Sequence, residues 1–217
     1  MPRAKRSYAP GHVWHLTHRC HNREFLLKFK RDRVRWRNWL FEARKRYGLS
    51  VLDYIVTSNH IHLLVRDTGN GCISKSMQLI AGRVAQEYNR RKSRRGAFWE
   101  DRYFATAVAT DQHLALCIVY IDLNMVRAGV VDHPSKWKIS GYNEIQSARA
   151  RYRIIDIEAL CKLTGSTEAS ALRLKHRAWV EHELERGKVV RQPDWTETVA
   201  VGPKRFKAHF QRKKDIL

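Results

Sequence analysis

Two apolar runs, VLDYIVT at 51–57 and HIHLLVRD at 60–67, are separated only by Ser58 and Asn59. A link that short joins two strands as a hairpin, so the runs are expected to pair antiparallel. Within the second run, His60 and His62 flank Ile61. Strand positions i and i+2 face the same side, so both imidazoles project from one face of a sheet. Any fold for this chain must place that face against something polar, because a buried imidazole needs a partner.

The neighbouring segments extend the pattern. HVWHLTHR, at 12–19, alternates β-branched and aromatic residues and reads as a strand. FKRDRVRWRNWLFEARKRYGL carries Val34, Trp36, Leu40, Phe41 and Tyr47 at loosely helical spacing, and Gly48 is a suitable stop. Ile73, Met77, Ile80, Ala81, Val84 and Tyr88 recur at steps of three and four and mark a second helix. FATAVAT reads as a fourth strand. A third helix is expected from Thr110-Asp111, a reasonable cap, to near Gly129. The order β-α-β-β-α-β followed by a helix predicts an α+β chain: a ferredoxin-like antiparallel sheet with helices on one face.

The pattern loosens after His133-Pro134. SKWKISGYNEIQ reads as a strapped loop carrying Trp137 and Tyr142. DIEALCKLTG and STEASALRLKHRAWVEHELERGK read as two more helices, the second capped by Ser166 or Thr167. GPKRFKAHFQRKKDIL reads as a basic tail. The expected division is a first domain over 1–150, and a helical extension with a basic tail over 151–217.

Charge narrows the partners. Lys and Arg number 42 against 21 Asp and Glu, a formal net charge of +21. Phosphate chains are the natural counter-charge, because binding releases their condensed counterions. An anionic membrane surface would also attract such a chain. No apolar run approaches the roughly 18 residues of a membrane span, and neither a lipidation motif nor an apolar signal core is present. A cytoplasmic, nucleoid-associated protein is expected. Cys20, Cys72, Cys117 and Cys161 are scattered, which fits free thiols in a reducing compartment.

Three groups of residues carry candidate chemistry, each with a plainer alternative. His60 and His62 either hold one divalent ion or simply pack in the sheet. In ALCIVYIDLNMVRAG, Leu114, Cys117, Ile118 and Ile121 form an apolar stripe, while His113, Tyr120, Asn124 and Arg127 form a polar one. A phenol has a pKa near 10 and needs a neighbouring cation or base to attack as phenolate. Arg127 stands on the same face as Tyr120 and either helps in this way or makes a structural salt bridge. Arg90, Arg91, Lys92, Arg94 and Arg95, with Arg83 upstream, precede Phe98 and Trp99. Arginine with stacking aromatics suits unpaired nucleic acid; the alternative is a solvated surface. In the tail, Lys204, Arg205, Lys207, Arg212, Lys213 and Lys214 interleave with Phe206 and Phe210, and either contact phosphate or form a flexible solubilising end.

The segments THRCHNREFLL, YIVTSNHIHLLV, YNRRKSRRGAFWEDRY and YIDLNMVRAGVV, taken together and in this order, resemble the single-tyrosine HUH transposases. The nearest group is the REP-associated tyrosine transposases, of the IS200-like family, and the similarity spans about residues 8–145. HUH stands for His-hydrophobe-His, met by His60-Ile61-His62. The resemblance implies the HUH endonuclease fold, with His60 and His62 as ligands of Mg²⁺ or Mn²⁺. It implies Tyr120 as nucleophile and Asn124 as a residue assisting the metal. It further implies nicking and transfer of single-stranded or hairpin DNA through a 5′-phosphotyrosine, by a monomer or homodimer. The family often has Pro after that Asn, where this chain has Met125. The rival reading is a non-catalytic DNA- or RNA-binding protein, which the basic charge fits equally.

Overall fold

A computed structural model describes residues 8–110, 112–147, 151–187 and 190–215, with side chains as far as Arg212. The hairpin forms as its short link requires. β2 (Ser50–Val56) pairs antiparallel with β3 (His60–Arg66), Val56 facing Ile61. Thr57 pins the turn: its Oγ1 accepts from the backbone N–H of His60 at 3.1 Å, and its own N–H donates to the His60 carbonyl at 3.0 Å.

Before the hairpin come β1 (Val13–Arg19) and α1 (Lys30–Tyr47); after it come α2 (Cys72–Arg91) and β4 (Phe104–Val108). Gly48 ends α1 in the left-handed conformation, φ 66°, which lacks a Cβ penalty only for glycine. β1 lies between β3 and β4, antiparallel to both. Its two-residue period sends Trp14, Leu16 and His18 to one face, and Val13, His15 and Thr17 to the other. α1 and α2 cover the first face and lock to each other through Arg35–Glu87 and Arg91–Asp32. Trp36 of α1, fully buried, packs beside Tyr54 of β2. The expected α+β sheet is therefore present, with α1 and α2 on one face; contrary to expectation, the other face is not bare of helices.

The second face is covered by α3 (Gln112–Asp122), whose Tyr120 ring lies against His15 and His62. The proposed cap Asp111 lies outside the described residues. The single helix expected to run on to Gly129 is divided at Leu123, ψ 6°, and resumes as α4 (Asn124–Arg127). Bonds from Leu123 N to Val119 O and from Arg127 N to Leu123 O span the break. Tyr120 and Asn124 consequently stay on one side.

The strap carrying Trp137 and Tyr142 lies along the free edge of β2. Val56 N donates to Ile139 O, Gly141 N donates to Tyr54 O at 2.7 Å, and Trp137 Nε1 donates to Val56 O. A Cβ at Gly141 would stand 2.1 Å from Asp53 Oδ1, so this approach admits only glycine. α5 (Tyr142–Gln146), α6 (Ile157–Thr164) and α7 (Ala169–Glu185) follow. Neither Ser166 nor Thr167 caps α7, contrary to expectation: Glu168 occupies that position. Ser166 is taken up in the end of α6, its N–H donating to Cys161 O and its Oγ lying 3.0 Å from Thr164 Oγ1.

The C-terminal segment adds α8 (Asp194–Glu197), β5 (Ala200–Val201) and α9 (Lys204–Asp215). β5 pairs parallel with β4, completing a five-stranded mixed sheet of order β2-β3-β1-β4-β5. The basic tail is thus a helix over 204–215. Phe210 is buried edge-on to Trp14, so this aromatic is core and not a stacking platform. All four cysteines are free. Among the described residues no helix is long and apolar enough to cross a membrane.

Candidate active site

The two-residue period of β3 puts His60 and His62 on the face that α3 crosses. Their ring centroids are 5.0 Å apart. Tyr120 meets His62 edge-on at 5.7 Å, and the Asn124 amide nitrogen lies 2.9 Å from His62 Nε2. Arg127 folds back over Tyr120: its guanidinium carbon is 4.0 Å from the ring centroid, and Nη2 donates to the Tyr120 carbonyl at 2.8 Å. Five residues singled out from the sequence therefore converge. They come from one strand and one broken helix.

A sixth residue joins them that the sequence did not single out. His15, in β1, is fully buried, and its Nε2 lies 2.9 Å from His62 Nδ1. Its Nδ1 lies 2.9 Å from the backbone carbonyl of Trp195 in α8. The Trp195 ring covers Tyr120 from the far side, centroids 6.0 Å apart. The only sequence signal for His15 is its place in a strand that alternates about an apolar core. Its partnership with His62 depends on the β1–β3 register, and a main-chain carbonyl leaves no mark on sequence.

Electrostatics keep the imidazoles neutral. Burial pushes His15 down to about 4, and burial together with Arg19 and Arg127 pushes His60 down to about 4. His62 is held well below its ordinary value by burial, then by the neighbouring His60 and His15. Neutral imidazole is the metal-binding form. His60 Nδ1 faces Asn59 Oδ1 at 2.7 Å and Thr57 Oγ1 at 3.0 Å. The Thr57 hydroxyl proton is already given to the His60 carbonyl, so both oxygens accept and His60 Nδ1 carries the proton. The lone pair of His60 is then on Nε2, the nitrogen a cation would need. Among the described residues no group of three or more His, Cys, Asp or Glu is arranged to hold an ion. A cation here would rely on His60, His62 and the amide of Asn124, a sparse set whose remaining positions would fall to water and phosphate oxygens.

Burial raises the Tyr120 phenol above its ordinary value, and Arg127, then Arg191, pull it back. Arg127 is itself lowered by burial. A buried phenol under a guanidinium is a hydroxyl whose anion has one close stabilising charge.

The basic stretch does not belong to this site. Arg83, Arg90, Arg91, Lys92, Arg94 and Arg95 lie on α2 or just beyond it, toward the α1–α2 side of the sheet. Arg83 sits over the Trp39 ring, Lys92 over Phe29, and Arg91 pairs with Asp32. Arg94 donates to Ala97 O and faces Glu24 at 3.8 Å. Phe98 is buried, while Trp99 stacks on His18 and donates to Ala81 O. Phe98 is packed into the core and cannot serve as a platform for bases, which corrects that expectation, whereas Trp99 is half-buried with its indole N–H held by the fold. Arg90 and Arg95 remain exposed. His113 is half-exposed on α3, and Glu181 of the Glu181-His182-Glu183 run bonds His133.

The family described as "Transposase IS200 like" matches residues 9–124. No curated protein matches the chain. A solved REP-associated tyrosine transposase bound to a REP hairpin is similar over 71% of this chain and 90% of its own, with 18% identity and a TM-score of 0.53. A structure from Deinococcus radiodurans, described as a candidate transposase, is similar over 54% of this chain and 93% of its own, with 16% identity and a TM-score of 0.39.

Proposed function

Because this chain belongs to the IS200-like transposase family, we propose that it nicks and rejoins single-stranded DNA through Tyr120. The convergence of Tyr120 on the His62 ring, whose Nε2 faces Asn124, is the observation that carries this reading. His60 and His62 are the ligands of Mg²⁺ or Mn²⁺, with Asn124 turning its amide to present oxygen. When bound, that cation would polarise the scissile phosphate and neutralise its developing charge.

Tyr120 Oη gives its proton to solvent and attacks phosphorus in line. The Oη–P bond forms, the bond from phosphorus to the 3′ oxygen breaks, and that oxygen takes up a proton. The products are a 5′-phosphotyrosine and a free 3′-OH. Attack by another 3′-OH reverses the step and needs no ATP. Arg127 lowers the cost of the phenolate that burial imposes. Trp195 shields the ring from solvent. All these groups lie within one chain, so each copy carries a complete candidate site whether the protein acts as a monomer or a homodimer.

The substrate class is single-stranded DNA beside a hairpin, such as a repetitive palindrome, met in the cytoplasm. The similar solved structure bound to a REP hairpin motivates that choice. Residues after about 150 serve the transposase domain as an accessory unit. They contribute Trp195 and β5, and among the described residues they offer no group of His, Cys, Asp and Glu arranged to hold a second metal ion.

The test is incubation of the protein with Mn²⁺ and end-labelled single-stranded DNA bearing a hairpin. A covalent adduct should survive a denaturing gel, and Tyr120→Phe should give none while binding DNA within about twofold of native. An adduct formed by the Phe variant would remove Tyr120 from the mechanism. Tight binding by the native chain with no adduct under either metal would leave a nucleic-acid-binding protein without strand transfer.

A further inference from the structure

We infer that His15 is a positioning residue for the proposed cation site: it relays a main-chain carbonyl of the C-terminal segment to His62 and so fixes which nitrogen of His62 faces Asn124. The inference rests on the reading of His62 as a metal ligand, but its first observable does not need the metal.

The protons can be placed along one line of contacts. The Trp195 carbonyl can only accept, so the nitrogen facing it at 2.9 Å, His15 Nδ1, carries a hydrogen. In a neutral imidazole the other nitrogen is then an acceptor. His15 Nε2 therefore accepts from His62 Nδ1 across 2.9 Å, and that nitrogen carries the hydrogen of His62. The lone pair of His62 is left on Nε2, toward Asn124. The Asn124 amide agrees from the other end, since its N–H donates to that lone pair. The two rings are nearly parallel, 14° apart with centroids separated by 5.0 Å, as an in-plane bond between their nitrogens requires, so His15 also sets the plane of His62.

The anchor is well held. Trp195 is buried, and Thr106 Oγ1 on β4, which donates to Thr198 O at 2.7 Å, ties the strand to the same segment. His15 and Trp195 are 180 positions apart in the chain. The family match ends at residue 124. The atom that orients His62 therefore lies in a part of this chain that the family match does not reach. Partners that orient a metal-binding imidazole commonly change metal affinity 10- to 100-fold.

The test has two parts. In the metal-free native protein, ¹⁵N imidazole shifts should report a proton on Nδ1 of both His15 and His62. A proton on Nε2 of His62 would overturn the relay, with no mutation and whatever the protein does to DNA. Then Mn²⁺ affinity is measured by electron paramagnetic resonance on three forms. His15→Phe keeps volume but loses both bonds, and should weaken Mn²⁺ binding about 10- to 100-fold, with His62 losing its single tautomer. His15→Gln can donate to Trp195 O and accept from His62, and should bind within about threefold of native. Native-like affinity in folded His15→Phe would overturn the positioning role. If the native protein binds no Mn²⁺ but shows the expected tautomers, the relay stands and the metal-dependent function falls.

Discussion

The Arg127 guanidinium carbon lies 4.0 Å from the centroid of the Tyr120 ring, while its Nη2 holds the carbonyl of the same residue. Burial raises the Tyr120 phenol and Arg127 lowers it. Arg127→Gln should therefore raise the phenol further and push the rising limb of adduct formation to higher pH. A shift of about one unit corresponds to about 1.4 kcal/mol and a tenfold loss near neutrality. Single-turnover cleavage from pH 6 to 10 measures it. An unmoved profile would reduce Arg127 to a structural tie.

Loss of either strand imidazole should act through the cation and not through folding alone. His60→Ala should abolish Mn²⁺-dependent adduct formation, yet cost little stability, because His60 is only half-buried. Calorimetric Mn²⁺ titration and the denaturing gel check the first claim, and thermal melting checks the second. Full cleavage by the variant would remove His60 from the site.

Behind α3, His176 Nε2 lies 2.6 Å from Asp122 Oδ2, both side chains buried. Burial pushes His176 down to about 4 and raises Asp122 well above its ordinary value. The folded His176 stays neutral between about 4 and 6.5, where the unfolded ring takes a proton. Its contribution is thus complete above about 6.5 and is lost as pH falls toward 4. The raised carboxyl works in the opposite sense, losing its contribution as pH rises. His176→Gln isolates the ring: its stability deficit against native should shrink as pH drops from 7 to 5. Urea midpoints at those values measure it, and a constant deficit would refute it. His176→Ala should cost about 1–3 kcal/mol at neutral pH by leaving Asp122 without its hydrogen-bond partner.

The arginines after α2 divide by their partners. Arg91 and Arg94 are engaged with Asp32, Glu24 and Ala97, whereas Arg90 and Arg95 are exposed. Arg90→Ala with Arg95→Ala should weaken DNA binding and reduce the salt slope by roughly 1.4 to 1.8, at about 0.7–0.9 per phosphate contact. Arg91→Ala should also lower the melting temperature. Affinity measured at several salt concentrations decides, and an unchanged slope would mark a merely solvated surface.

Much of this arrangement was legible from sequence because it is written in local period. The two-residue link at Ser58-Asn59 dictated the hairpin, and the period of β3 put His60 and His62 on one face. Steps of four and three gathered Tyr120, Asn124 and Arg127. What stayed hidden depends on partners distant in the chain. Phe98 looked like a platform for bases because aromatics beside arginines read the same whether packed or free. Strand β5 is two residues long, too short to show a period. His15 needed the β1–β3 register to be seen beside His62. The break at Leu123 left no proline or glycine to announce it.

The same long-range closure constrains timing. β5 enters the sheet beside β4, and Trp195 reaches back to His15, 180 positions earlier. Contacts at such separations form late, after loop-closure entropy has been met. During synthesis the hairpin and the helix bearing Tyr120 emerge well before Trp195, so a nascent chain carries Tyr120 without its Trp195 cover and His62 unanchored. A ribosome stalled, or a message cut short, anywhere between the two yields a protein that has every residue of the proposed site and lacks the setting that aims them.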